Sequence, residues 1–288
     1  MKGFKYPLVS VITPSFNQGA YIKETIESVL TQDYPRIEYF VMDGGSTDET
    51  VDILQQYSDQ IAWVSQKDGG QAAAVNQGVA KSSGEIIGWL NSDDTYLPGA
   101  ISEIVQFFQE HHEVDMVYGE GYHTDKNGVI LDRYETEPFD KARLAWYCYI
   151  CQPTAFFRRA FWDRVGGLNA ALQICMDYEL WMRMANMGQI VYLNRYLATS
   201  RMYENNKTLS RKTEGFQEAF RILKHHYEFV PLSWISSYID YLHDIHAKIV
   251  KYIWIVVLSL KYNWYHLYKY SKDAMRFTRT WRRKKFSD

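Results

Sequence analysis

Two adjacent carboxylates, Asp93 and Asp94, stand in the stretch LNSDDTY (90–96), directly behind the apolar run Ile86-Ile87-Gly88-Trp89-Leu90. A continuous apolar run of that length is what a strand buried on both faces requires. Like charges side by side at the mouth of such a strand repel unless a cation lies between them and a ligand. Hard divalent cations take carboxylate oxygens, and Mg²⁺ commonly uses one or two carboxylates together with substrate phosphates. A bound cation would remove the repulsion and assist a phosphate leaving group. The competing reading is a helix start, with Asp93 or Asp94 capping ahead of Leu97-Pro98. The place at a strand end, beside two other polar strand ends, favours the cation.

The elements needed to deliver these groups follow from periodicity. Leu8–Thr13, Tyr39–Met42, Ile61–Val64 and Ile86–Leu90 read as strands, separated by helical spacing over Tyr21–Thr31, over Val51, Leu54 and Tyr57 with Thr47 as N-cap, and over Ala72–Val79. Repeated βα units imply a parallel sheet with helices on both faces, and ligands bind beyond the carboxyl ends of its strands. Asp43-Gly44-Gly45, Asp68-Gly69-Gly70 and Asp93-Asp94 should therefore converge on one edge. In DGGSTDET (43–50) the glycines let backbone amides approach an anion ahead of a helix N-terminus. The spacing is not the G-x-G-x-x-G of dinucleotide sites, and a turn with a capped helix is the plainer alternative.

Further on, Tyr118–Tyr134 reads as a hairpin turning at Asn127-Gly128. CQPTAFFRR (151–159) reads as a strand running into a helix, DYELWMRMANMG (177–188) as a helix, and Ile190–Leu193 as a strand. Asp177 opens its helix after the loop NAALQIC, which suits either a carboxylate facing a cleft or an N-cap. Glu179, two residues on, should point elsewhere. Trp181 is expected in the core.

VSVITPSFNQGAYIKETIESVLTQDYPRIEYFVMDGGSTDET, KDGGQAAAVNQGVAKSSGEIIGWLNSDD and GGLNAALQICMDYELWMR together resemble the family 2 glycosyltransferases of the GT-A fold, from about Leu8 to Ser210. The resemblance implies an α/β, Rossmann-like, mostly parallel sheet. It also implies inverting transfer of a sugar from a nucleotide-sugar, a UDP-hexose, to a hydroxyl of a glycan or lipid-linked acceptor, with Mn²⁺ or Mg²⁺. Carried over, Pro14, Ser15 and Asn17 would line the nucleoside pocket, and Asp43, with Gly44 beside it, would contact the base. Asp68, Gly69 and Gly70 would border the nucleotide and sugar. Asn91 and Asp93 would hold the ribose or donor sugar, and Asp94 would ligate the metal. Asp177 would be the base that takes the acceptor proton. Gln152 is a further donor or acceptor contact. Relatives often carry R-x-H after the last strand. Here Tyr203 stands where the His would, in RMY, and a Tyr is a poor ligand for Mg²⁺ or Mn²⁺. Arg201 and Lys207 would offset diphosphate charge instead.

Of the rival readings, a nucleotidyltransferase should carry a Gly-rich basic loop after the first strand, which TPSFNQGAY is not. A catalytically silent assembly module should have lost Asp94 or Asp177.

The 288 residues hold three cysteines, too few for a disulfide framework and in keeping with a reducing compartment. Cys148 and Cys151 form C-x-x-C without a second ligand pair, so packing is the better reading. Net charge is −2, but residues 1–220 carry 19 Lys+Arg against 29 Asp+Glu, whereas residues 221–288 carry 13 against 5. The division expected is a catalytic domain over 1–220 and an extension over 221–288. In the extension, apolar residues from Ile235 to Leu260 step by three or four, as in one long amphipathic helix, before the basic RFTRTWRRKKF (276–286). That pattern suits an anionic membrane surface or a second subunit; no nucleic-acid motif accompanies it. The protein is expected in the cytoplasm, peripheral on the inner face of the cell membrane.

Overall fold

The computed structural model describes residues 6–242 and 248–263. Three βα steps and a fourth strand come first: β1 (Val9–Ser15), α1 (Ile22–Leu30), β2 (Ile37–Asp43), α2 (Thr50–Gln56), β3 (Ala62–Ser65), α3 (Gln71–Lys81) and β4 (Ile86–Trp89). Then follow β5 (Thr95–Tyr96), α4 (Ala100–Glu110), β6 (Met116–Thr124), β7 (Ile130–Arg133) and α5 (Lys141–Leu144). After a 3₁₀ turn at Gln152–Thr154 come β8 (Phe156–Arg158), α6 (Arg159–Val165), α7 (Met176–Met184) and β9 (Ile190–Arg201). The chain closes with α8 (Lys207–Ser210), α9 (Lys212–Tyr227), α10 (Leu232–Leu242) and α11 (Lys248–Asn263).

The strands form one sheet in the order β3-β2-β1-β4-β8-β6-β9-β5, with β7 added to β6. β3, β2, β1 and β4 run parallel, and β8 opposes its neighbours β4 and β6. The chain steps outward from β1 to β3 and returns across β1 to β4. The strand order thus reverses between β1 and β4, which opens a crevice at their carboxyl ends. The strand ends are tied there by backbone bonds from Gly44 N to Ser15 O (2.8 Å) and from Leu90 N to Ile12 O (3.0 Å).

Both sheet faces are covered because β1 is apolar on both. Val9 and Val11 join Ile22, Ile26 and Val29 of α1 and Ile101, Ile104 and Phe108 of α4 in one cluster. The α1 residues recur at three- and four-residue spacing, one stripe of a helix. Ile12 faces the other way, toward α3. There Phe157 stacks on Trp181 of α7 at 5.7 Å, and Trp181 is fully buried, as expected.

Several local readings change. α2 starts at Thr50 rather than after Thr47, because Thr47 N donates to Asn17 Oδ1 (2.9 Å) and Asp48 Oδ1 accepts from Thr50 N (3.1 Å). The Asn127-Gly128 hairpin forms, with Gly128 at φ +81° and Asp125 Oδ1 accepting from Asn127 N and Val129 N. The single long C-terminal helix is replaced by two. Asn263, at the end of α11, exchanges hydrogen bonds with Val230 ahead of α10 (2.7 and 2.9 Å), so the two helices turn back on each other. The basic stretch 276–286 lies outside the described residues. The chain divides into two compact units, Met1–Phe139 with Tyr149–Ser210, and Asp140–Cys148 with Arg211–Asp288.

Gly78 sets how closely α3 approaches β1. A Cβ there would lie 2.4 Å from Ile12 Cγ2 and 3.1 Å from Met42 Cγ. Overpacking of this kind costs about 1–3 kcal/mol, against about 1 kcal/mol that Ala gains in helix propensity. Gly78→Ala should therefore lower stability in urea melts despite the better helix former; an unchanged or higher midpoint would show that α3 can slide.

Candidate active site

The carboxylate loop leaves β4 at Trp89 and is held from beneath. Asp94 is 4% exposed, with Oδ1 accepting from Arg201 N (2.9 Å) and its main-chain oxygen accepting from Thr25 Oγ1 (2.8 Å). Asp94 Oδ2 has Asn91 Nδ2 at the longer distance of 3.3 Å. Asp93 Oδ2 accepts from the Tyr203 hydroxyl (2.9 Å). Burial pushes the Asp93 carboxyl above the ordinary carboxylate range. Burial, and then the Asp93 charge, pushes Asp94 well above it.

Arg201 is the hub of this loop. Its Nε donates to Asp93 O (2.9 Å), one terminal nitrogen to Lys126 O (3.0 Å), the other to Glu24 Oε2 (2.5 Å), and its Cζ lies 4.9 Å from the Tyr21 ring centroid. The expectation that Arg201 faces a diphosphate is thereby corrected. Its guanidinium is buried and its donors tie two loops to α1.

The β2 end is built around Asp43. Both Asp43 oxygens are turned into their own loop: Oδ2 accepts from Gly45 N, Ser46 N and Ser65 Oγ, and Oδ1 from Ser46 Oγ. A carboxylate offers about four acceptor positions; Oδ2 is fully engaged, and Oδ1 accepts from Ser46 Oγ alone. Asp43 therefore shapes the turn and keeps acceptor capacity on Oδ1. Gly44, just after it, faces Asp68: a Cβ there would lie 3.3 Å from Asp68 Oδ2. Asn17 at φ +51° pins the β1 loop to this turn, with its amide N on Ser46 Oγ (2.7 Å). Pro14 pairs in register with Met42 inside the sheet. Beside it, Ser15 Oγ and Gln18 Oε1 are buried without a hydrogen-bond partner. Orphaned polar atoms inside a cleft are costly unless a ligand satisfies them.

The third cluster surrounds the start of α3. Asp68 Oδ1 accepts from Gly70 N (2.7 Å), and Gly69 is exposed beside it. Gly70, at φ +96°, has the Gln173 amide 3.7 Å from where a Cβ would stand, so the loop ahead of α7 reaches the α3 N-terminus. Gln71 Oε1 accepts from Lys207 Nζ (3.0 Å), and Gln71 Nε2 donates to Asn91 Oδ1 (2.8 Å). Asn91 Nδ2 donates to Gln152 Oε1 (2.9 Å), and Gln152 Nε2 to Trp89 O (2.7 Å). Gln152 is buried and braces Asn91. An amide chain thus runs from Lys207 to the carboxylate loop.

Asp177 lies in the first turn of α7, its Oδ1 accepting from Tyr178 N (2.7 Å). Burial pushes its carboxyl up to about 6, against the opposing pull of that amide and of the Lys207 charge. Glu179 is turned away, paired with Arg183 Nε at 2.7 Å. Gln18, Tyr21, Glu24 and Gln71 carry much of this geometry and were not singled out in the sequence; of these only Gln71, directly behind Gly69-Gly70, had a positional signal.

The donor set suits a hard divalent cation. Asp93 and Asp94 are adjacent carboxylates that resist ionising without compensation, and Asp94 Oδ2 has only a long contact. Among the described residues no group of three or more His, Cys, Asp or Glu is positioned to hold a metal. Further ligands would have to come from a bound phosphate or water.

A sheet that reverses at β1/β4, with acidic and Gly-rich loops gathered at its carboxyl edge, defines the GT-A class. The glycosyl transferase family 2 model matches residues 10–165, more than half of the chain, and the chain belongs to that family. It is 29% identical over 215 residues to an uncharacterized glycosyltransferase of Rickettsia typhi, covering 70% of this chain and 66% of that one. It is 25% identical over 222 residues to the chondroitin synthase of Escherichia coli, covering 76% of this chain and 32% of the synthase. The chain thus spans just under two thirds of the first relative and about a third of the second. Among solved structures, S. aureus TarS 1-349 in complex with UDP-GlcNAc superposes with a TM-score of 0.62 at 23% identity, over 76% of this chain and 66% of that one. The mannosyltransferase PcManGT of Pyrobaculum calidifontis in complex with GDP-Man and Mn²⁺ does so at 0.58 and 21%, over 76% and 65%. The GT-A fold expected from the sequence is the fold found.

The raised Asp177 carboxyl makes stability depend on pH. A group whose folded pKa exceeds its unfolded value of about 3.9 contributes fully below that value, and the contribution is lost as pH rises through about 6. Asp177→Asn should match the wild-type stability near pH 4 and exceed it at pH 7.5 by about 1–3 kcal/mol, seen as equal and then higher melting temperatures. Equal melting temperatures at both pH values would mean that the carboxylate is not under burial stress.

Proposed function

We propose that the chain transfers a hexose from a UDP-sugar to a hydroxyl of a glycan or lipid-linked acceptor, with inversion at the anomeric carbon. The observation that carries the reading is Asp177, a carboxyl with a pKa of about 6 near Lys207, which the amides of Gln71 and Asn91 join to the paired carboxylates. A base is most effective when its pKa lies near the working pH. Asp177 takes the proton of the acceptor hydroxyl. The acceptor oxygen forms its bond to the anomeric carbon as the bond from that carbon to the diphosphate breaks on the opposite face, and UDP leaves. Ser15 and Gln18 offer their unpaired atoms to the nucleoside, and Asn17 with Asp43 keeps the loop around it in shape. Asp68, Gly69 and Gly70 border the sugar and the diphosphate, with the α3 N-terminus favouring negative charge. Lys207 holds the diphosphate side, in reach of both Gln71 and Asp177. Asp94, with Asp93 beside it, would hold Mn²⁺ or Mg²⁺, which when bound offsets the charge of the departing diphosphate. The resemblance to TarS with UDP-GlcNAc and to a chondroitin synthase supports a UDP-sugar and a glycan acceptor.

The reading extends to an anionic membrane surface. α11 buries Ser259 and Asn263, yet exposes Ile253, Trp254, Val256, Val257 and Leu260. Apolar residues at that spacing form a stripe on the outside of the helix, the reverse of what a buried helix shows. The excess of basic residues over 221–288 matches the charge of an anionic bilayer. No described helix is long and apolar enough to cross a membrane.

Three measurements test these assignments. In a nucleotide-sugar panel with Mn²⁺ one UDP-sugar should raise the melting temperature, through a stabilisation of about 2.7 kcal/mol at 100 times its dissociation constant; no response to any nucleotide would sink the reading. In the pH profile, kcat/KM should rise through about 6 for the wild type, and Asp177→Asn should bind donor but lose transfer. Ile253→Glu/Val257→Glu should abolish pelleting with phosphatidylglycerol vesicles. Retained pelleting, or a vesicle-free dimer that the double variant dissolves, would assign the stripe to something other than lipid.

A further inference from the structure

The β6–β7 hairpin carries apolar surface that its own unit leaves uncovered. Val129, Ile130 and Leu131 are 60%, 54% and 58% exposed. A strand lying on a folded core hides every second side chain, and here three in succession are open. Among the described strands β7 pairs with β6 alone. Ile130 stands opposite Thr124 and Asp132 opposite His123, so Leu131 falls at a shift of register. The acids beside this run are turned inward, Asp125 onto the amides of Asn127 and Val129, and Asp132 onto His123 Nδ1 (2.6 Å). Glu135, exposed beyond the end of β7, is the exception. Lys126 and Arg133 bracket the run; both are exposed, and neither side chain has an ion-pair partner among the described residues. At the flank, Tyr122, which stands opposite Arg133, stacks on the exposed Tyr196 at 4.2 Å.

We propose that the β6–β7 hairpin docks into the boundary between headgroups and acyl chains of a phospholipid bilayer, with Val129, Ile130 and Leu131 as the inserted residues. Aliphatic side chains enter the acyl layer, tyrosines sit with one end wet, and Lys and Arg stems reach the lipid phosphates. A folded partner covers one face of a strand, whereas acyl chains flow around a run that is open along its length. The contact belongs to the catalytic unit itself and uses none of the α11 residues. The hairpin is tied to the carboxylate loop, because an Arg201 terminal nitrogen donates to Lys126 O (3.0 Å) and Met202 N to Thr124 O (2.7 Å). Docking therefore sets the carboxyl edge of β6 and β9 beside the lipid surface. A lipid-linked acceptor is within reach there, a consequence that rests on the sugar-transfer reading above.

The test places an environment-sensitive nitrobenzoxadiazole dye at Leu131→Cys in the full chain, with the half-buried Cys148 and Cys175 changed to Ser and the buried Cys151 kept. A dye at Gln55→Cys, exposed on α2, is the control. With phosphatidylglycerol vesicles the dye at 131 should shift to shorter wavelength and be quenched by nitroxide-labelled acyl chains, and the dye at 55 should do neither. Lys126→Gln/Arg133→Gln should weaken vesicle affinity about twentyfold, since each base near an anionic surface contributes about fivefold. Ile130→Ser/Leu131→Ser should weaken it about tenfold or more. All four side chains are exposed, so neither double variant should shift the melting temperature. A dye at 131 that stays unquenched while the protein pellets with vesicles overturns the hairpin contact and leaves that of α11 standing. Protein that stays in solution with vesicles overturns both. A shift that appears without vesicles as protein concentration rises assigns the run to a second copy of the chain instead. None of these results bears on nucleotide-sugar binding, which the nucleotide panel decides separately.

Discussion

Asp93 and Asp94, buried side by side at the end of β4, impose the condition that the surrounding structure answers. Removing one carboxylate from water is expensive, and a second beside it adds repulsion. The fold does not neutralise the pair with two cationic side chains. It supplies one buried arginine, Arg201, whose guanidinium is shared among Asp93 O, Lys126 O and Glu24, and whose backbone nitrogen alone reaches an Asp94 oxygen. The result is a rigid loop that still carries unmatched negative charge. β9 has to run on to Arg201 and lie beside β6, and α1 has to present Tyr21, Glu24 and Thr25, for that loop to exist. The crevice between β1 and β4 supplies the opening, and the pair supplies the charge.

The βα half was legible because its physics is local. Val9–Ser15 and Ile86–Trp89 are runs that only a doubly covered strand can bury, and Asp43, Asp68 and Asp93-Asp94 fall where such strands end. Asp177 was picked out by the family resemblance, since a helix start suits an N-cap equally, and burial pushes its carboxyl up to about 6. What the sequence could not reveal were the directions of side chains. Asp43 and Arg201 looked like ligand contacts from their types and positions. In the fold Asp43 is largely turned onto neighbours 2 to 22 residues away and the Arg201 guanidinium onto neighbours 75 to 177 residues away, contacts that no periodicity encodes. Tyr203 looked like a lost ligand, and only the structure places its hydroxyl on Asp93.

The C-terminal helices show the limit from another side. A three- and four-residue step from Ile235 to Leu260 continues across residues 243–247, so periodicity alone cannot distinguish one helix from two that fold back. Asn263 decides it, because its amide fits the backbone of Val230, which stands ahead of α10. Once the helices fold back, the stripe on α11 is split. Its polar residues Ser259 and Asn263 are buried, Ile255 and Leu258 are half-buried, and Ile253, Val256, Val257 and Leu260 are exposed. That inversion is informative, because an outward-facing row of Ile253, Val256, Val257 and Leu260 has no packing role inside its own unit.

The connection between Lys207 and the carboxylate loop is made of neutral amides: Gln71, Asn91 and Gln152. A carboxylate or guanidinium in any of these places would also have linked the two sides. It would also have fixed a further charge next to the acidic pair. Amides transmit position without adding charge, since each has both a donor and an acceptor. The site therefore holds its acidic pair at set positions without a cationic side chain bonded to either carboxylate of the pair. An anionic nucleotide, a cation and an acceptor hydroxyl then bring the groups that complete it. Order in the polar scaffold and incompleteness in the charges come from the same choice of side chains.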